Sequence, residues 1–275
     1  MVKLNRKVRR ERERRKTREI KKLRKKRTTI NFSKGISMSN GGLGNSVVDG
    51  CVANILANCR GKLSREHYIS KSILEQIGPI EATGVPFLRE LGVKGQIPPR
   101  NLTVNKFCEG HNNYLSDLDK HAGNLFKELS SWDENKNIKA IFSGVLFEKW
   151  VLKLLIGILA TGQIKYKKKV YNSNSVNILW YKILYENEKI PDGCGLYAFH
   201  KEGDSISIDK RIKFAVLFQQ DKVAGMRIEF CGFNYYFTML DRKTAFGEDA
   251  ENPNLIYRLK FLKKENFPQK IEFKW

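Results

Sequence analysis

Long uncharged apolar runs are missing from this chain of 275 residues. Its most apolar window, Val145 to Ala160, is broken by Glu148, Lys149 and Lys153. The uncharged remainder, Leu154 to Ala160, is far below the ~20 residues that span a bilayer, so no membrane partner is expected. Nor does the basic start lead into an apolar stretch, so no secretory signal is expected there. Cysteine is scarce: five residues, widely spread and odd in number, do not make a secreted disulfide framework and favour a reducing, cytoplasmic setting.

Acidic residues are also in short supply, 29 against 51 Lys and Arg, which leaves a net charge of +22. The surplus is uneven, because Met1 to Arg27 holds 16 basic and 3 acidic residues, or +13 in about a tenth of the chain. Such asymmetry points to an acidic polymer as partner, most often nucleic acid. What is plentiful is aromatic: 16 Phe, 10 Tyr and 4 Trp within a hydrophobic content of 41% exclude a wholly disordered chain. The length suits one large or two small domains.

Helix formers fill residues 1–28, yet only Val8, Ile20 and Leu23 offer an apolar face. Residues 1–33 therefore read as a basic nucleic-acid-binding arm, and 34–50, rich in Gly, Ser and Asn, as a linker. Leu115, Leu118, Ala122, Leu125, Phe126 and Leu129 form a helical stripe with Ser116 and Asp119 resembling a capping box and His121 on its polar side. A second helix is expected over Ile141 to Ala160. Beyond it the period changes to 2, and strands are expected at Ile206–Ile208, Lys213–Phe218, Arg227–Phe237, Leu255–Phe261 and Ile271–Trp275. The expected fold class is α+β. Residues 51–130 carry the chemistry, and 131–275 form a helix plus a β-rich C-terminal domain able to hold a protein partner. Cys194, Cys231 and the aromatics from Phe230 to Phe237 read as core, and Lys165 to Lys169 as a solvated face suited to phosphate.

Candidate chemistry lies in two segments. One contains Glu66-His67, where a carboxylate can face a metal while the neighbouring imidazole faces a water. The other runs from Asn101 through Asn105 to Cys108-x-x-His111-Asn112-Asn113, whose Cys and His are spaced to reach one metal at a tight turn. Asn112 falls where a helix begins, a place whose N–H groups favour phosphate.

This order of acid–His, central Asn, then Cys-x-x-ligand–Asn resembles the HNH endonuclease family over roughly Cys51 to Leu129. The resemblance implies a ββα-metal finger holding a catalytic divalent cation, Mg2+ or Mn2+. His67 would be the general base, Glu66 and Asn112 metal ligands, and Asn101 (or Asn105) the residue that orients the base. An alternative registration makes His111 the second metal ligand. Members with a structural Zn2+ carry a C-x-x-C pair before the acid–His, whereas here Cys51 and Cys59 stand eight positions apart. Cys51, Cys59, Cys108 and His111 nonetheless have the composition of a zinc site. The implied function is DNA hydrolysis, in phage defence or a mobile element. The rivals are a non-catalytic zinc-stabilised nucleic-acid-binding protein and an RNase using the same site.

Overall fold

A computed structural model describes residues 28–33, 43–77, 80–81, 96–97, 102–131, 138–199, 212–263 and 269–275. The basic stretch 1–27, residues 34–42 of the linker, Asn101, and the strand expected at Ile206–Ile208 lie outside them. In chain order the elements are β1 (Thr28–Asn31), β2 (Leu63–His67), α1 (Lys71–Ile77), β3 (Ile80–Glu81), β4 (Gln96–Ile97), β5 (Thr103–Cys108), α2 (Glu109–Ser130), β6 (Ile138–Ser143) and α3 (Gly144–Ala160). They continue with β7 (Ile164–Tyr166), β8 (Lys169–Tyr171), α4 (Ile178–Tyr185), β9 (Gly195–Phe199), β10 (Ile212–Gln219), β11 (Lys222–Phe230), β12 (Phe233–Thr238), α5 (Arg242–Phe246), β13 (Leu255–Tyr257), β14 (Phe261–Lys263) and β15 (Lys270–Lys274). The class is α+β.

Helix α3 is the hub. Every residue from Phe147 to Ala160 is buried, so no face is left for water. It packs against α2 and α4 and against strands of both larger sheets. Charges on such a helix must find partners. The Glu148 carboxylate accepts from the Leu196 backbone N–H (2.7 Å) and pairs with Arg258 (3.1 Å), tying α3 to β9. Lys149 donates to the Asn187 side chain (3.2 Å).

One sheet orders its strands β1-β6-β15-β14, with β6 parallel to both neighbours, and a fully antiparallel sheet runs β10-β11-β12-β9-β13. The apolar residues of both sheets and of the helices form one core cluster. That cluster includes Phe230, Phe233, Tyr235, Phe237, Cys194 and Cys231, as their pattern suggests. Among the described residues no helix is long and apolar enough to cross a membrane.

Several boundaries differ from the sequence pattern for local reasons. The stretch Arg227–Phe237 is not one strand, because Cys231 (φ 51°) and Gly232 (φ 82°) turn the chain between β11 and β12. Leu255–Phe261 is likewise split, with Arg258 at φ 47° between β13 and β14, which join different sheets. Helix α3 starts three residues later than expected, since Ile138–Ser143 pair as β6 and Ser143 caps the helix. His121 is fully buried rather than polar-side: its Nε2 bonds the Ser143 carbonyl (2.9 Å) and its ring meets Phe142 edge-on. The end of the stretch read as arm is structured too, because Thr28–Asn31 pair in parallel with β6 and Phe32 stacks on Phe142 at 4.7 Å. Removing residues 1–33 should therefore lower the melting temperature measurably below that of a chain lacking only 1–27. Equal melting curves would show that β1 contributes nothing to the sheet.

Candidate functional site

Cys108 closes β5 and caps α2. Its sulfur accepts from the His111 N–H (3.5 Å), and the Glu109 and Gly110 N–H groups donate to the Lys62 and Arg60 carbonyls (2.9 Å each). Three of the N–H groups that a helix start leaves unpaired are thus satisfied, so α2 begins at Glu109 and not near Ser116. Gly61 sits at φ +73°, where a Cβ would strike the Glu109 carboxylate, so glycine lets this loop close onto the helix. On the other side, a 3-10 turn over Asn54–Leu56 and a left-handed Ala57 (φ 52°) fold the chain back between Cys51 and Cys59.

The result brings Cys51, Cys59, Cys108 and His111 together with their ligand atoms within 4.8 Å of one another. His111 Nδ1 lies 3.4 Å from Cys51 Sγ, 3.8 Å from Cys59 Sγ and 3.1 Å from Cys108 Sγ. On the far side of the ring, Nε2 meets Asn58 Oδ1 at 2.8 Å. A carbonyl oxygen only accepts, so Nε2 carries the proton and Nδ1 turns its lone pair toward the three sulfurs. Burial pushes the His111 imidazole down to about 4, which keeps it neutral, the form that ligates metal. Burial also pushes the Cys51 thiol up to about 12, and it raises Cys59. Three buried thiols and a neutral imidazole can hold a metal such as zinc, and the Cys3His donor set is that of structural zinc sites. The Cys108 N–H points at Cys51 Sγ (3.4 Å), a donor suited to a thiolate.

Cys108 and Leu63 face each other across the antiparallel β2–β5 pair, so the metal cluster sits at one end of that pair and Glu66-His67 at the other. Glu66 points inward and is buried; its Oε1 pairs with Lys153 of α3. The same ammonium donates to both oxygens of Asp119 on α2 (2.7 and 2.8 Å) and to the His67 carbonyl (3.2 Å). Asp119 accepts from the Ser70 hydroxyl (2.5 Å), which accepts in turn from the Trp150 indole (2.7 Å). Burial works against the Lys153 charge, but Asp119 and Glu66 together overcome it and hold its pKa up. Burial raises the Glu66 carboxyl, with Lys153 pulling it back. His67 is half-buried, and desolvation, then Lys153 and Lys71, hold its pKa below the usual value.

Asn112 lies one residue past His111 on the first turn of α2. Its amide Nδ2 donates to the Ser64 hydroxyl (2.9 Å) and the Arg65 carbonyl (3.2 Å), which brackets α2 to β2 beside the acid–His pair. Asn105 is exposed on β5, and Asn101 lies outside the described residues.

No protein-family model, curated protein or solved structure matches this chain. Sequence reading missed Lys153 as the partner of Glu66, the Asp119, Ser70 and Trp150 chain behind it, and Asn58 as the partner of His111. Lys153 did leave a signal, since a lysine inside an otherwise apolar helix must be paired if the helix is buried. Two outcomes test these clusters. Cys108→Ser should release bound zinc and lower stability together, read by elemental analysis and thermal melting; full stability with no zinc in the parent protein would remove the metal. Lys153→Met should destabilise by about 3–5 kcal/mol, the cost of leaving partners of a buried pair uncompensated. Adding Asp119→Asn should restore part of that loss, and chemical denaturation of both variants checks it.

Proposed function

We propose that the chain is a metal-dependent HNH-type endonuclease hydrolysing DNA phosphodiester bonds. The observation that carries this reading is the placement of His67 and Asn112. His67 ends β2 and is half-buried, and Asn112 on the first turn of α2 is hydrogen-bonded to the backbone just before it. Two antiparallel strands leading into a helix, with a Cys3His cluster under one end, are what a zinc-stabilised ββα finger needs.

In this reading the neutral His67 imidazole takes a proton from the attacking water. Glu66 and Asn112 would hold a Mg2+ or Mn2+ ion, an oxygen donor set suited to a hard cation, and such an ion neutralises charge at the scissile phosphate when bound. Asn112 has its Nδ2 committed to β2, which orients the amide and leaves its carbonyl oxygen as the ligand. Glu66 is engaged by Lys153 through Oε1, so a cation would have to share this carboxylate with the ammonium. The +13 arm would supply sequence-independent attraction to phosphate.

The Glu66–Lys153 pair also favours the rival, a zinc-stabilised nucleic-acid-binding protein in which Glu66 is purely structural. An RNase would use the same residues. Plasmid DNA and a structured RNA incubated with purified protein and Mg2+ or Mn2+ separate the three. DNA cleavage is expected, and His67→Ala should reduce it by at least ~10²-fold while leaving binding intact. Wild-type turnover by His67→Ala overturns the assignment. Because the His67 pKa is lowered, the base stays neutral further into acid, so cleavage should persist below pH ~6.5 and decline only as His67 protonates there. A decline starting well above that pH would contradict the role.

A further inference from the structure

Two hairpin turns of the C-terminal half use left-handed residues at both central positions, and one of them fills both with lysine. The two-residue loop between β7 and β8 is Lys167-Lys168, with φ at 46° and 65°. Between β10 and β11 the loop is Gln220-Asp221, with φ at 47° and 56°. Both central residues of such turns are left-handed, a conformation that favours Asn and Gly and costs any residue with a larger side chain. Placing two lysines there gives up local stability for charge at the tip, and departures of this kind collect at functional sites.

The two tips are locked together. Tyr166 stacks on Phe218 (centroids 4.4 Å apart, planes 4° from parallel), the Tyr171 hydroxyl donates to the Asp221 carbonyl (2.8 Å), and Lys167 pairs with Asp221 (3.2 Å). Lys165, Lys168, Lys169 and Lys222 are exposed on this joined edge. Beside it opens a cavity of about 370 Å³, whose wall combines the amides of Asn177, Gln219 and Gln220 and the Lys222 ammonium with an apolar side that includes Trp180 and Met239. The Gln219 amide nitrogen donates to the Thr244 carbonyl, while its Oε1 is buried without a hydrogen-bond partner among the described residues.

We infer that the paired tips form a second nucleic-acid contact surface, in which the lysines take backbone phosphates and the cavity borders the bases. Carboxamides match the donors and acceptors of base edges, groups that an acyl chain lacks, and the apolar side can face a base ring, which favours a nucleic acid over an anionic membrane. The tips are held in place before binding, so less side-chain and loop ordering opposes association than for a mobile basic tail. This goes beyond the reading of Glu66 and His67 and does not depend on cleavage.

The test uses the full chain in buffer without added divalent cation, so binding is read whether or not the protein is a nuclease. Fluorescence anisotropy follows a DNA duplex, a single-stranded DNA and a single-stranded RNA over a salt series. The variant Lys168→Glu/Lys169→Glu/Lys222→Glu is compared with Lys189→Glu/Lys260→Glu/Lys274→Glu, which makes the same charge change at other exposed positions. Unchanged thermal melting and zinc content verify that both fold. The tip variant should lose at least tenfold more affinity than the control on one or more of these nucleic acids. Its log–log salt slope should also flatten, by roughly 0.9 for each duplex phosphate no longer neutralised, or roughly 0.7 for each phosphate of a single strand. The nucleic acid most affected identifies the kind of strand. Equal losses in the two variants overturn the inference, as does a wild-type chain that binds none of the three. Loss of binding to phosphatidylserine vesicles with nucleic-acid binding unchanged would also overturn it, in favour of a membrane.

Discussion

Three sulfurs and one imidazole nitrogen, from Cys51, Cys59, Cys108 and His111, crowd within 4.8 Å of one another and bring the 51–59 loop against the start of α2. The 51–59 loop contributes one 3-10 turn and an isolated bridge between Ser46 and Cys59, too little regular structure to fix it alone. Without a metal, burial keeps Cys51 and Cys59 as neutral thiols by disfavouring their thiolates. A cation reverses that sign: it draws the thiols into the ionised form and makes their proximity favourable. The position of α2 follows, because Cys108 caps it and His111 lies in its first turn. Asn112 is then carried to the edge of β2, and the acid–His pair has a fixed neighbour.

At the opposite end of the β2–β5 pair, the restraint is charge. Lys153 reaches from α3 to Glu66, to both oxygens of Asp119 and to the His67 carbonyl, so its three N–H donors are shared among three acceptor groups. That ion group crosses from the C-terminal half into the segment carrying the candidate chemistry. Trp150 and Ser70 extend it, and the core is continuous across the same boundary. The 51–130 stretch is consequently embedded in the fold through α3, which a finger on a linker would not be.

The parts of this arrangement that were legible in the sequence are those written in local order. The stripe from Leu115 to Leu129 announced α2, the apolar window announced α3, and the alternation of Ile271, Phe273 and Trp275 announced β15. Cys108 and His111 declared themselves by spacing. Cys51 and Cys59 did not, because eight residues reach one metal only if the chain doubles back, and the left-handed Ala57 that permits this has no signature in residue type. Partners across the fold were equally hidden. Lys153 could be seen to need a counter-charge, but the choice of Asp119 and Glu66 depends on how α2, α3 and β2 pack. The hairpin β7–β8 escaped notice because each strand is three residues long and its turn carries Lys167 and Lys168 where Asn or Gly would signal a hairpin.

The claim on which the rest depends is that one metal is bound by Cys51, Cys59, Cys108 and His111. X-ray absorption at the zinc edge of protein purified without chelator tests it most directly. A first shell of three sulfurs near ~2.3 Å and one nitrogen near ~2.0 Å is the expected result. A shell of oxygen and nitrogen only, or a folded protein whose spectrum contains no bound zinc, would contradict it.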